Sequence, residues 1–211
     1  MPIIVNGTSI TRVVLDGKTI DRVNVDGATV YQSSISIFNN GNTSASGAWV
    51  SGGTGNNYTG VPQIGSQLTF AAARANSYWA SMAWTSNKIQ LDGGKTIRVN
   101  VNKAASYQTD DTNLGIGVQH LAKLELVLCA GNKPNINGVV DARAELAKTC
   151  RILTIIDGYK GFYGDVVTGS MSTGSYTVTV PVSGSYYVGL LWDGYDCLVV
   201  STPGVNNITA V

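Results

Sequence analysis

Apolar and polar residues alternate along several segments of the chain. The clearest segment places Ile97, Val99 and Val101 between polar neighbours, directly after Asp92-Gly93-Gly94. Because successive side chains of a strand point to opposite faces, a period of two predicts half-buried β-strands. Three further strands are predicted on one parity: Val118, Ala122, Leu124, Leu126 and Leu128; Tyr176, Val178, Val180 and Val182; Tyr186, Val188, Leu190 and Trp192.

Other segments depart from alternation. Ile152 to Ile156 is a continuous apolar run, typical of a strand covered on both faces. Pro181 has no N–H for a ladder, so its strand is predicted at a sheet edge. Only Val140 to Lys148, rich in helix formers and starting beside Asp141, predicts a short helix. Many short strands with frequent turn signals therefore predict an all-β, jelly-roll-like β-sandwich with at most one short helix.

The first 33 residues contain an internal repeat with a period of ten. The segments VNGTSITRV, LDGKTIDRV and VDGATV begin at Val5, Leu15 and Val25. Asn-Gly and Asp-Gly favour two-residue hairpin turns, so residues 1–33 are predicted to form a small antiparallel meander of about three to four strands. Such a small sheet is marginal alone, and we expect it to attach to a partner or to its own copies. Residues 34–211 then form the jelly-roll-like sandwich.

The chain carries little charge, which limits the classes of partner. Charged residues make up 13% of the 211 positions, and 14 Lys and Arg against 13 Asp and Glu leave a net charge of +1. An average soluble domain has about 25% charged residues. Without a basic surface, neither nucleic acid nor an anionic membrane is an expected partner. The N-terminus has no basic segment followed by an apolar run, so we expect no secretory signal.

The cysteines and the histidine offer little chemistry. Cys129, Cys150 and Cys197 are too few and too scattered for a disulfide framework or a zinc cluster. Buried free thiols are favoured over a Cys129–Cys150 bridge. His120 is the single histidine and shares the parity of Ala122, which favours a structural role. With no catalytic motif present, the protein is not expected to be an enzyme or to hold a cofactor.

Close carboxylates are the remaining candidates for catalysis. Asp110-Asp111 and the pair Asp193 and Asp196 lie on predicted loops. Two carboxylates flanking a glycosidic bond can hydrolyse it, and Asp-rich loops can supply oxygen ligands to calcium. Capping of backbone amides or simple solvation is the favoured interpretation. The presence of a metal is left open.

Aromatic residues in Gly-rich segments are the better candidates for ligand contact. Rings held by tight turns can stack on sugars or anchor a protein interface. The candidates between Gly158 and Asp165 are Tyr159, Phe162, Tyr163 and Asp165, and Trp49, Tyr58 and Trp79 are further candidates of the same kind. The alternative is that aromatic residues fill the core, and it is favoured for Trp84 and Trp192, which lie on apolar parities.

Two segments resemble a known class of proteins. IIVNGTSITRVVLDGKTIDRVNVDGATVY, within Met1 to Gln32, resembles the repeat leader of structural proteins of tailed bacteriophages that infect Gram-positive hosts. TSNKIQL from Thr85 and KTIRVNV from Lys95 resemble the jelly-roll domains of tail-tip and receptor-binding components of such phages. The resemblance implies a virion protein assembled in the host cytoplasm, with the leader as an attachment or oligomerisation element. It carries over no catalytic residue.

Three classes of function follow. The first is a virion structural protein, at a tail tip or baseplate or in receptor binding, with capsid decoration or a head fibre as the alternative location. Its expected partners are other virion proteins, host cell-surface carbohydrate and its own copies in a homotrimer. The second is a cellular carbohydrate-binding module. The third is a glycan hydrolase that uses Asp pairs such as Asp193 and Asp196.

Overall fold

The structure is a computed structural model that describes residues 4–5, 8–9, 13–15, 18–20, 22–25, 28–32, 34–43, 46–55, 61–70, 78–108, 120–139, 141–161, 168–195 and 198–211. Most of these residues lie in strands, and one helix is present among them. No helix in this part of the chain is long and apolar enough to cross a membrane. The strands are β1 (Ile4–Val5), β2 (Thr8–Ser9), β3 (Val13–Leu15), β4 (Lys18–Ile20), β5 (Arg22–Val25), β6 (Ala28–Gln32), β7 (Ile35–Asn39), β8 (Trp49–Gly55), β9 (Gln63–Ile64), β10 (Leu68–Thr69), β11 (Tyr78–Thr85), β12 (Ile89–Leu91), β13 (Thr96–Lys103), β14 (Ala105–Gln108), β15 (His120–Cys129), β16 (Cys150–Gly161), β17 (Thr168–Met171), β18 (Gly174–Thr179), β19 (Gly184–Tyr195), β20 (Leu198–Ser201) and β21 (Gly204–Ala210), and the helix is α1 (Ala142–Ala147).

The N-terminal repeat forms antiparallel hairpins. β1 pairs with β2, β3 with β4, and β5 with β6, and the innermost pairs are Val5 with Thr8, Leu15 with Lys18, and Val25 with Ala28. Two residues separate each pair, which confirms the predicted two-residue connections. The strands form three two-stranded sheets and not one meander. Each short turn specifies its own strand pair, whereas nothing in the turn chemistry specifies the neighbour at a hairpin's other edge. The separate role of residues 1–33 stays a prediction.

The remaining strands form two main antiparallel sheets. Sheet 1 has the order β18-β13-β21-β10-β9, and β7 also pairs with β21. The short sheet β17-β14-β20 continues sheet 1 in the same strand order. Sheet 2 has the order β16-β15-β19-β11-β8, and β12 also pairs with β19. The two sheets enclose the main core and form a sandwich.

The strand order is that of a jelly roll. Eight strands, β7, β11, β13, β15, β16, β18, β19 and β21, can be counted from first to eighth in chain order. Sheet 1 then contains the first, eighth, third and sixth strands side by side, and sheet 2 contains the second, seventh, fourth and fifth. Consecutive strands thus cross between the sheets, except for the fourth and fifth, which pair with each other in sheet 2, as in two interleaved Greek keys. The predicted all-β, jelly-roll-like fold is confirmed.

The alternating segments fill the main core as predicted, except at Val182, which lies beyond the end of β18 and is 50% exposed. In β13, Ile97, Val99 and Val101 are at most 1% exposed while Arg98 is exposed. The even-numbered residues of β15 and β19 face the same core, which includes Leu124, Leu126, Leu128, Val188, Leu190 and Trp192. Val118, the first residue of the predicted β15 pattern, lies outside the described residues. Burying one parity of each long strand between two sheets supplies the main apolar driving force of the fold.

A second apolar cluster covers the outer face of sheet 2. Residues of the opposite parity, among them Met82, Trp84, Val127 and Leu191, pack there against Ile136 and against Ala142 and Leu146 of α1. The helix is the one predicted over residues 140–148. Asp141 caps it, because its carboxylate Oδ1 accepts a hydrogen bond from the backbone N–H of Ala144 at 2.9 Å. We call residues 130–149, between β15 and β16, the helical insertion.

A disulfide joins the two ends of the helical insertion. Cys129 and Cys150 are bonded, with their Cα atoms 4.3 Å apart. The prediction of free thiols is therefore wrong for these two cysteines. They are directly opposite each other in the β15–β16 ladder, a register that sequence spacing alone does not specify. Cys197 lies outside the described residues.

The edge strands explain one correct and one wrong prediction. β18 is the edge of sheet 1 and ends at Thr179, before Pro181, which confirms the predicted edge position. Ile152 to Ile156 was expected to be covered on both faces, but β16 is the other sheet's edge. Its apolar residues are half-buried and Thr154 is exposed. An apolar run alone does not distinguish a central strand from an edge strand that is partly covered on both faces.

Candidate functional site

The predicted aromatic contact segment is only partly described. Tyr159 lies in the last part of β16, and its side chain is outside the described part of the molecule. Phe162, Tyr163, Asp165 and Tyr58 lie outside the described residues altogether. Whether these side chains come together stays a prediction.

The two remaining aromatic candidates lie in the core. Trp49 is 7% exposed, packs edge-to-face on Phe38 with ring centroids 5.7 Å apart, and donates its indole N–H to Ser46 Oγ at 3.0 Å. Trp79 is fully buried and packs edge-to-face on Trp192 at 5.5 Å. Neither ring faces solvent as a ligand contact requires, which differs from the expectation for both. Trp49 and Trp79 are core residues instead. The prediction that Trp84 and Trp192 fill the core is confirmed.

The aspartate candidates are also placed differently from expectation. Asp193 lies within β19, not on a loop, and is only 4% exposed. Asp196, Asp110 and Asp111 lie outside the described residues. His120 begins β15, and its side chain is not among those described. Asp193 therefore has to be examined with its neighbours in sheet 2.

Polar side chains from five elements, here called the carboxylate cluster, meet around the buried carboxylates of Asp193 and Glu125. It consists of Tyr78, Glu125, Arg143, Thr154 and Asp193, which belong to β11, β15, α1, β16 and β19. Glu125 pairs with Leu191 in the ladder, so Asp193 lies two positions further along the adjacent strand on the same face. That face is the outer face of sheet 2, and α1 lies over it. Strand parity and the helical insertion together enclose the cluster.

Glu125 is held by donors from two elements. The Arg143 Nε–H donates to both Glu125 oxygens, at 3.2 Å and 3.1 Å, and Thr154 Oγ1–H donates to Oε1 at 3.4 Å. The Glu125 side chain is fully buried, whereas 46% of the Arg143 side chain is exposed. This ion pair connects α1 to the centre of sheet 2. Hydrogen bonding to Glu125 is the main reason that the pKa of Arg143 is raised.

Asp193 is bound on one side only. The Tyr78 hydroxyl donates to Asp193 Oδ2 at 3.1 Å and accepts from the backbone N–H of Arg143 at 3.1 Å. Asp193 Oδ1 is buried and has no hydrogen-bond partner. Burial, followed by the nearby Glu125 charge, raises the pKa of Asp193 to about 8. Burial and Asp193 together raise the pKa of Tyr78 above its ordinary range.

The carboxylate cluster can hold a proton on Asp193 at neutral pH, and it anchors α1 on sheet 2. Sequence reasoning singled out Asp193 but missed Glu125, Tyr78 and Arg143. A weak signal was available, since Lys123 and Glu125 are the charged positions within an otherwise apolar β15. Nothing in the sequence indicated that Arg143 of the insertion lies over them.

Metal binding and relationship to known proteins were also considered. Among the described residues, no three His, Cys, Asp or Glu side chains converge in a way that could hold a metal ion. Comparison of the chain with protein-family models, curated proteins and solved structures found no match. Function is therefore argued from the fold and the residues of this chain alone.

Proposed function

We propose that the protein is a structural component of a tailed-bacteriophage particle, placed at a tail tip or baseplate, whose sandwich contacts a host surface glycan or a neighbouring virion protein. The strand order of the two sheets is the observation that carries this proposal. Jelly rolls of this order recur in viral capsid and lectin domains. Fold-level analogy therefore favours a virion role, and the N-terminal hairpins and the outer face of sheet 1 support it.

The N-terminal hairpins support an attachment role. Three hairpins with two-residue connections occupy residues 4–32 and precede the first strand of the sandwich. Isolated two-stranded hairpins are marginal in water, so they gain stability by packing on a partner. We propose that the partner is another virion protein or a second copy in a homotrimer. Light scattering of the purified chain at micromolar concentration tests the trimer, and a monomeric mass would contradict it.

The outer face of sheet 1 supports a binding rather than a catalytic surface. Asn100 donates to Asn206 Oδ1 at 2.7 Å, and Asn206 donates to Asn40 Oδ1 at 3.4 Å, so amides extend from β13 across β21 to the turn that follows β7. Asn207 continues the pattern by donating to Asn39 Oδ1 at 3.3 Å. Side-chain amides offer both donors and acceptors, which suits sugar hydroxyls and protein backbone alike.

The decisive experiment is to find the protein in particles. Gradient-purified phage from cells that express the gene should contain the chain by mass spectrometry, and an antibody against it should label the tail end by electron microscopy. Labelling of the head would instead indicate capsid decoration or a head fibre. Absence from purified particles would refute the proposal.

Receptor contact by the segment containing Tyr159, Phe162, Tyr163 and Asp165 can be tested separately. Tyr163→Ala is expected to leave the melting temperature unchanged and to weaken adsorption to host cells, because a stacking ring is lost. Tyr163→Phe, which keeps the ring and removes only the hydroxyl, is the matched control and should adsorb like the unmodified protein. Unchanged adsorption of Tyr163→Ala particles would remove this segment from the proposal.

A glycan hydrolase is the second candidate, and one observation favours it. Burial raises the pKa of Asp193 to about 8, a value that suits a general acid, but Asp193 is 4% exposed and the Glu125 side chain is fully buried, so a saccharide reaches this pair only if α1 moves away from sheet 2. Release of reducing ends from host cell walls, abolished by Asp193→Asn, would support hydrolysis. Absence of release by the unmodified protein would end this candidate.

A further inference from the structure

A tyrosine and two lysines meet on the outer face of sheet 2, toward the start of β19. The Lys88 Nζ atom lies 5.4 Å from the ring centroid of Tyr187, and the Lys133 Nζ atom lies 5.8 Å from it. Both distances are within the range of cation–π attraction. Lys88 follows β11, while Lys133 belongs to the helical insertion, so the tertiary fold brings these charges together.

The two ammonium groups have no acidic counter-charge among the described residues. Lys88 donates to the backbone carbonyl of Ala130 at 2.6 Å, which leaves its charge uncompensated. No carboxylate in the described part of the chain pairs with Lys133. Both lysines are exposed, so an anion beside Tyr187 is attracted by two positive charges. The arrangement therefore favours an anionic group close to Tyr187.

A groove adjoins these lysines. It has a volume of about 380 Å³ and lies between residues 131–135 and the end of α1. Leu146 and the Cys150 half of the disulfide contribute apolar surface, while Asn132 and Thr149 contribute an amide and a hydroxyl. Lys133 belongs to the same wall. Volumes of about 300 to 1,000 Å³ are typical of small-molecule sites.

The groove also contains one carboxylate, which the fold neutralises. Glu145 lines it, and Lys148 Nζ donates to Glu145 Oε2 at 2.5 Å. The charge that remains at the groove is therefore positive, from Lys133 and the neighbouring Lys88. Apolar floor, amide, hydroxyl and cation are together the groups that bind a sugar ring bearing an acidic substituent.

We propose that this groove binds an anionic saccharide, that is, a sugar ring carrying a phosphate or carboxylate group. Lys133 contacts the anion, Lys88 adds to the positive potential, and half-buried Cys150 packs against the sugar ring together with the 4% of Leu146 that is exposed. None of the residues that line the groove belongs to the segment from Gly158 to Asp165. Such binding goes beyond the proposed function and holds whether or not the chain belongs to a virion.

The test is a ligand titration of the full oxidised chain followed by NMR or calorimetry. Glucose 1-phosphate and glucuronic acid represent the two acidic groups, and glucose and inorganic phosphate are the probes for each part alone. Saturable binding of either acidic sugar, about tenfold tighter than glucose and phosphate, is expected. The tighter of the two acids identifies the anionic group. If glucose or inorganic phosphate binds as tightly as the acidic sugars do, the proposal is overturned.

Charge variants place the binding at the groove. Lys133→Gln should weaken binding about tenfold, whereas Glu145→Gln should tighten it about threefold because a negative charge is removed. Lys103→Gln, at the exposed end of β13 in sheet 1, makes the same net-charge change as Lys133→Gln and should have no effect. Equal weakening by both lysine variants, or no effect of Lys133→Gln, would overturn the site.

Discussion

The two apolar clusters on either side of sheet 2 are built differently. The main core between the sheets contains apolar side chains from nearly every long strand, with Trp79 and Trp192 at its centre. The cluster beneath α1 is small, and it is accompanied by the carboxylate cluster, a disulfide and a capped helix. A large apolar interior is stabilised by burial alone. A small one that covers a single sheet face needs covalent and polar interactions to hold its cover in place.

This comparison separates global from local stability. Loss of apolar area between the sheets affects both sheets at once, so the whole domain unfolds together. Loss of an interaction beneath α1 affects only residues 130–149 and the sheet face that they cover. Local opening with a low free energy is typical of segments with few apolar contacts. The groove near Lys133 belongs to this less stable region.

The largest effect is expected in the main core. Leu126→Ala removes a fully buried side chain and should lower the free energy of unfolding by about 3 to 4 kcal/mol. Leu146→Ala is the matched change on α1. It should lower the free energy of unfolding by about 2 kcal/mol, because the surrounding residues can relax into the space that the side chain leaves. Urea denaturation followed by tryptophan fluorescence measures both. Equal costs would contradict the proposed difference between the clusters.

Loss of the disulfide should have the next largest effect. Cys129 and Cys150 are 21 positions apart in the chain, and replacing both by alanine removes the link between them. The free energy of unfolding should fall by about 3 kcal/mol, because the unfolded chain gains conformational entropy. Hydrogen exchange should accelerate more in residues 130–149 than in β13, whose core amides exchange only through global unfolding. Unchanged stability, or equal acceleration in β13, would contradict local anchoring by the bridge.

The main core could be predicted from the sequence because its signal is local. The alternation of Ile97, Val99 and Val101 predicts both a strand and the face of that strand that is buried, and the structure has both. The capped helix is also readable, since Asp141 and the helix formers after it are neighbours in the chain. The two-residue hairpin connections at Asn6-Gly7 and its repeats follow from the same kind of local signal.

The cover over sheet 2 could not be predicted because its contacts are long-range. Cys129 meets Cys150 only through the register of β15 and β16, and Arg143 meets Glu125 only when the insertion folds back. Asp193 seemed to lie on a loop because Gly194 follows it, yet β19 continues through both residues. Burial of a charged residue on a strand's second face is decided by what packs above it, which no periodicity reports.

The pH dependence of stability tests the carboxylate cluster. The pKa of Asp193 is raised to about 8 in the folded state from 3.8, so its contribution to stability is lost as the pH rises through that interval. Between about pH 6 and about pH 7.5 the free energy of unfolding should fall by about 2 kcal/mol relative to that of Asp193→Asn, which cannot ionise. Urea midpoints at several pH values measure the difference. Parallel pH profiles would show that Asp193 is ionised in the folded protein.

The helix cap provides the smallest and most local test. Asp141→Ala removes the acceptor for the Ala144 N–H and should lower the free energy needed to open α1 by about 1 kcal/mol. Asp141→Asn is the matched control, because asparagine caps equally well while removing the charge. If the cover is held locally, Asp141→Ala should speed hydrogen exchange in α1 and leave the main core unchanged, and Asp141→Asn should resemble the unmodified protein. Acceleration in both variants would assign the effect to the Asp141 charge, whereas acceleration throughout the sandwich would show that the two clusters unfold as one.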